Sequence, residues 1–457
     1  MHDEQPEFHD VVVIGAGVAG LRCANQLVHG KGIKDVLVVE ASDRLGGRVM
    51  SNTSFIPGMS IDLGAEVLHG ANTTLTRLAE ELSIGLREIF TWAQHLQGER
   101  YEEFVKFNSS VARLSEIENI DRIPFEKSMR DYFDEVGLSS SMMKLCEAGY
   151  ANTAGGPLDD ISMRATCRYE KQWIELEDEG DYRAVPSFTR FVEHFADGVT
   201  TRLNWPVTSV DYSQSNRIVV TGTSGRQLSC STLVVTVSTA VFSKIAYTPP
   251  FPEIKIKAVN SFDMRRAGKV LLHVSRRFWP EDAHGVVCSD CFLPEFWFNS
   301  TQGIGHLKPN GDKLCTGMEA NKHEDGKTQY LITGFVSAAY AETFVGVPHE
   351  KIFEGFLDQL DMIYGNVDEP CPAHKFFVKG MYKDFGNEPW IGGGYAFPRV
   401  GQSDSASQDL AAPVDNRIFF AGEATAYEQP GMSVHAAVDT GTRASDQVAC
   451  ALQGRST

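Results

Sequence analysis

Three glycines and one acid near the start of the chain are the first residues whose types and spacing could do chemistry. Gly15, Gly17 and Gly20 fall in "HDVVVIGAGVAGLRCANQL", and Glu40 closes the apolar run "DVLVVEAS". A β-branched strand, a glycine turn, a helix-compatible segment and a second strand ending in an acid form the pattern of a dinucleotide cradle. Gly15 permits the turn, Gly17 lets a pyrophosphate approach bare backbone, and Gly20 lets helix and strand pack closely. The helix N-terminus stabilises the phosphate charge. Glu40 would accept hydrogen bonds from the adenosine ribose hydroxyls and disfavour the extra phosphate of NADP.

Other residues invite chemical readings beside plainer ones. In "ASDRLGGRV", Arg44 and Arg48 flank Gly46 and Gly47, a set that fits a solvated turn or a clamp on the second face of a diphosphate. "NRIFFAGEAT" reads as a strand, Ile418 to Ala421, ending at Gly422 and Glu423, with a helix able to start near Met432. Ligands bind at such strand-to-helix turns of doubly wound sheets. "AGKVLLHV" alternates, with Lys269, Leu271 and His273 on one face and Val270, Leu272 and Val274 on the other. Lys269 is then either a snorkelling strand residue or a buried charge with a task. "EPWIGGGY" puts three glycines between Trp390 and Tyr395, which suggests a flat ligand against the backbone of Gly392 and Gly393, or a loop. Tyr395 is a packed aromatic or a wall of a ligand pocket. His69, in "GAEVLHG", is a structural histidine or a polar ligand contact.

The elements that would position these residues belong to an ordinary globular chain. Its 457 residues, 42% hydrophobic and 22% charged, suggest about two or three domains. A net charge of −18 argues against nucleic acid and suits a cationic ligand. No apolar run reaches membrane-spanning length, and the polar start does not resemble a signal peptide, so an intracellular, cytoplasmic enzyme is expected. Of nine cysteines only Cys288 and Cys291 form a CxxC pair, without the further ligands of a zinc site, and no metal is expected. The acidic run "ELEDEGD" reads as a solvated loop.

These motifs, in this order, resemble those of the flavin amine oxidase family, which includes monoamine and polyamine oxidases. "ASDRLGGRV" is similar to the family's second flavin fingerprint. "IDLGAEVLHG", with Gly64, Ala65 and Glu66, is similar to its loop beside the flavin. "RLNWPVTSVDYS" resembles the strand that holds adenine through a valine backbone, here Val207. The C-terminal segment resembles the one in which Gly422 and Glu423 meet the ribityl and diphosphate portion and Ser433 and Val434 the pyrimidine edge. The resemblance runs from Val11 to Ser445 and is closest to polyamine oxidases.

It implies an α/β, two-domain fold. A Rossmann-like FAD domain would be built from residues 1–72, 198–247 and 385–457, and a mixed α+β substrate domain from 73–197 and 248–384, helical from about Thr73 to Asp197. Gly394 stands where some monoamine oxidases carry a flavin-linking cysteine, so FAD should be noncovalent. The resemblance places Trp390 beside the flavin, gives Tyr395 the role of an amine wall, and puts Ser433 or Met432 where a second aromatic often stands. Lys269 would hold a water at the reactive flavin nitrogen, and His69 matches a histidine of some polyamine oxidases. The implied activity is oxidation of an amine C–N bond with oxygen reduced to hydrogen peroxide, a polyamine being the favoured substrate. An L-amino acid oxidase, a monoamine oxidase and a non-catalytic flavoprotein module are the alternatives.

Overall fold

The computed structural model describes residues 6–89, 119–173, 175, 180–281, 283–301, 306–307 and 328–455. Residues 176–179 of the acidic run lie outside them. An eight-stranded sheet anchors the chain, and its strands come from distant segments. The N-terminal strand Glu7–Ile14 runs parallel to Val36–Val39 on one side and to Gln227–Val235 on the other. Ile418–Phe420 then adds parallel to Gln227–Val235.

Continuous apolar runs suit strands covered on both faces. Val11 and Val13 pack with Leu21, Phe191 and Phe195 on one side. Val12 and Ile14 pack with Trp205, Phe242 and Phe420 on the other. The long helix Val434–Arg455 lies against the first helix, Val18–Asn25.

A five-stranded antiparallel sheet stands beside it, in the order 285–287, 295–300, 330–337, 267–274, 377–384. The period of two expected at Lys269 decides which face is which. Val270, Leu272 and Val274 join Phe296, Phe298, Ile332 and the helix His349–Tyr364 in a separate core. Leu271 packs on the opposite side with Phe55 and Ile61.

The stretch expected to be helical from Thr73 to Asp197 contains helices at Thr74–Glu81, Met129–Glu135, Met163–Gln172 and Thr189–Ala196. It also contributes strands Gly85–Ile89 and Asp181–Val185 to a four-stranded sheet with Leu68–His69. Each is only five residues long, too short for a period to declare itself. No helix among the described residues is long and apolar enough to cross a membrane.

Candidate active site

A cavity of about 360 Å³ runs from the first glycine turn to the face of the five-stranded sheet. At one end, Gly17 caps the helix Val18–Asn25, and a Cβ added there would meet nothing within 4 Å. Gly20 differs: its Cβ would fall 2.0 Å from the carbonyl oxygen of Gly15, so only glycine permits this crossing of helix and turn. Glu40 braces the same turn. Its Oε2 accepts from the Ala16 N–H at 2.8 Å, and its Oε1 accepts from the Ser42 N–H and hydroxyl at 2.9 and 2.8 Å. Arg44, Gly46, Gly47, Gly64, Ala65, Val207, Trp390, Ser433 and Val434 also line the cavity.

The arginine expected to clamp a diphosphate is held in place by the chain's other end. Arg48 Nη1 donates to Glu423 Oε1 at 2.7 Å and to the Gly394 carbonyl at 3.1 Å. Glu423 Oε2 is buried with no hydrogen-bond partner among the described residues. An open backbone cradle at Gly17 and a buried, unsatisfied acceptor beside Gly422 fit a hydroxyl-bearing dinucleotide. Gly392 and Gly393 have a different cause from the one expected. A Cβ on Gly392 would lie 2.9 Å from Ala240 Cβ, and one on Gly393 would lie 2.4 Å from the Arg265 carbonyl oxygen. The chain's own packing excludes those side chains.

Lys269 is buried within an ion network rather than snorkelling. Its Nζ donates to Glu66 Oε2 at 2.6 Å and to the Asp62 carbonyl at 3.0 Å. Arg183 Nε lies 3.0 Å from Glu66 Oε1, and Trp297 Nε1 donates to the same oxygen at 3.0 Å. Burial opposes ionisation of Glu66, but the charges of Lys269 and then Arg183 hold its carboxyl below the usual range. Asp62, buried beside it and facing the Glu66 charge, is pushed well above that range. Glu66, expected to serve the cofactor, is thus the counter-ion of Lys269.

Around the rest of the cavity the polar groups come from distant elements. The Tyr395 hydroxyl donates to the Thr153 carbonyl. Thr153 Oγ1 donates to Glu295 Oε2 at 3.2 Å, and Asn152 Nδ2 donates to it at 3.0 Å. Burial pushes the Glu295 carboxyl up to about 7 against those hydrogen bonds. His69 is exposed; its Nδ1 lies 2.6 Å from Asp181 Oδ1, and its ring meets Trp173 edge-on at 5.7 Å. Met432, at φ 62°, and Ser433 both line the cavity.

Residues 18–449 match the family described as flavin containing amine oxidoreductase. The chain belongs to that family. Its cofactor is FAD. This flavin amine oxidoreductase is 28% identical to Lysine-specific histone demethylase 2 of Homo sapiens, over 97% of the chain and 54% of that protein. It is 25% identical to Polyamine oxidase 3 of Oryza sativa subsp. japonica, over 95% of the chain and 88% of that protein. The chain therefore spans about half the length of its demethylase relatives. Cyclohexylamine Oxidase from Brevibacterium oxydans shares the fold with a TM-score of 0.77 at 20% identity, over 97% of this chain and 99% of that one. Putrescine Oxidase bound to Putrescine does so with a TM-score of 0.74 at 20% identity and the same coverage.

Glu295, Arg183, Trp297, Thr153 and Phe335 were not found by sequence reasoning. The one signal for Glu295 is a charged residue opening an apolar strand, "EFWFNS". Such a residue reads equally as the polar end of that strand.

Proposed function

We propose that this flavin amine oxidoreductase oxidises a C–N bond of a polyamine, with oxygen as the final acceptor. One observation carries the reading: a single cavity joins the dinucleotide cradle at Gly17 and Glu40 to Lys269 and Tyr395. An amine in the second part would therefore lie against the ring end of a cofactor held in the first.

FAD, when bound, supplies the two-electron acceptor for the amine and the reductant for oxygen. The chain's residues do the rest. Glu40, Arg48 and Glu423 orient the dinucleotide. Lys269 keeps a positive charge, anchored by Glu66, where oxygen becomes negatively charged on reduction. Tyr395, fixed through its hydroxyl to Thr153, lays its ring along the substrate. Overall the amine gives two electrons and two protons to oxygen, forming hydrogen peroxide. The resulting imine takes up water to give a carbonyl compound and an amine.

The net charge of −18, a cavity bearing Glu295 and Asp181, and polyamine oxidases matched over most of their length support a polycation. The 28% identity to a histone demethylase favours a second reading, oxidation of an N-methylated lysine in a peptide. Peroxide release with spermine, spermidine, benzylamine and a dimethyl-lysine peptide separates the two. Preference for spermine or spermidine supports the first, and preference for the peptide replaces it with the second.

A further inference from the structure

Glu295 differs from its neighbours in the cavity wall. Glu66 is paired with Lys269 and Arg183, Glu423 with Arg48, and Asp181 with His69. Glu295 has no cation partner among the described residues, although it is only 5% exposed. Both of its hydrogen-bond donors, Asn152 and Thr153, address Oε2. Oε1 takes none among the described residues and belongs to a side chain that lines the cavity.

We propose that Glu295 is a cation subsite, whose open carboxylate oxygen receives a protonated nitrogen of the substrate other than the nitrogen being oxidised. This inference rests on the amine oxidase reading above and names how the substrate is selected. Cross-strand register supplies the geometry. Phe335 stands directly opposite Lys269 on one side and Glu295 on the other, so all three project from one face of the sheet. Lys269 and Glu295 are two strand spacings apart, roughly 10 Å between backbones. The positive charge of Lys269 disfavours a second cation at its own end, where the reacting nitrogen must be neutral. Glu295 attracts one at the other.

The acid's environment agrees with an absent ion-pair partner. Burial outweighs the hydrogen bonds from Asn152 and Thr153 and the charge of His69, and pushes the carboxyl up to about 7. A bound ammonium would return it to the charged form and expel the proton it carries. The other titratable groups near it are His69, held by Asp181; the Tyr395 phenol, reached through Thr153; and the Lys269–Glu66–Arg183 network on the same sheet face.

The test compares two ligands differing by one nitrogen, hexane-1,6-diamine and hexylamine. They are titrated anaerobically into dithionite-reduced holoenzyme, so that nothing turns over. Calorimetry at pH 7 in two buffers of different ionisation enthalpy reads affinity and proton release together. The diamine should bind more tightly than the monoamine and release about half a proton more from a carboxyl titrating near 7. Glu295→Gln should weaken the diamine 10- to 100-fold, remove the excess release and change hexylamine less than threefold. Equal proton release by the two ligands in the wild type, or equal weakening of both in Glu295→Gln, overturns the subsite. If Glu295→Gln fails to retain flavin, Glu295→Asp must keep the preference for the diamine, and its loss counts against the proposal. Aerated wild-type enzyme is assayed alongside. Amine oxidation without discrimination at Glu295 removes this inference alone, whereas no oxidation and no binding removes the proposed function with it.

Discussion

Lys269 and Glu295 flank Phe335 in one cross-strand row, the lysine ion-paired with Glu66 and the glutamate paired with no cation among the described residues. The two ends of the row therefore differ in kind. At one end a charge is locked into a network before any ligand arrives, while at the other a carboxyl balances between two protonation states. Each state predicts a measurable behaviour.

Glu295 should make the folded protein less stable as pH rises. Its folded carboxyl titrates at about 7 against an ordinary 4.5, so the folded state holds a proton that the unfolded state has lost between those values. Stability falls across that window at up to ~1.4 kcal/mol per pH unit and is flat above it. Glu295→Gln should remove this slope, gaining up to about 3 kcal/mol on the wild type between pH 4.5 and 8. Urea unfolding at the two pH values checks it, and parallel curves would assign the titration elsewhere.

Glu66→Ala should destabilise the protein by roughly 3 to 5 kcal/mol, because Lys269 and Arg183 lose their shared counter-ion in a buried site. The depressed carboxyl of Glu66 contributes stability that is complete above its ordinary range and lost as pH falls through its folded value. The difference between wild type and variant should therefore narrow in acid. A denaturant midpoint unchanged at pH 7 would show that the network contributes nothing net.

Lys269→Met should slow reoxidation of reduced flavin by oxygen roughly 10- to 100-fold while slowing its reduction by amine much less. The charge serves a species formed only in the oxidative half. Stopped-flow traces separate the halves, and equal slowing of both would leave Lys269 a structural cation.

FAD should leave the denatured protein. Gly394 offers no side chain for a covalent link, so acid precipitation should put all the yellow colour in the supernatant, and a chain mass that includes FAD would refute this. Glu40→Ala should lower flavin occupancy at least tenfold at limiting FAD, since the carboxylate also pins the Ala16 amide of the cradle. Full occupancy would separate Glu40 from cofactor binding.

How much could be read beforehand depended on whether a residue's reason lies near it in sequence. The glycine turn and Glu40 are local in that sense, because strand, turn and helix follow one another directly. The alternation around Lys269 was equally legible, and the core facing Val270 and Leu272 agrees with it. Glu295 was not, because its partner Asn152 belongs to a helix far earlier in the chain and only folding brings them together. Gly392 and Gly393 gave a correct signal of close approach and a wrong idea of what approaches. Backbone at Arg265 and the side chain of Ala240 exclude a Cβ there, and no periodicity reveals a contact between separate segments.

The eight-stranded sheet has a consequence for the order of events during synthesis. Val234 must lie between Val13, made before it, and Phe419, made long after it, before that part of the sheet is complete. Closing such long loops costs entropy that is recovered only when the last strand docks. A nascent chain halted before Ile418 would leave the amides and carbonyls on one edge of Leu233–Val235 without a neighbouring strand. It would also lack Gly422 and Glu423, so it could not complete the cofactor cradle. Flavin capture therefore waits on Glu423, and cofactor present before that residue is made should matter less than cofactor present afterwards.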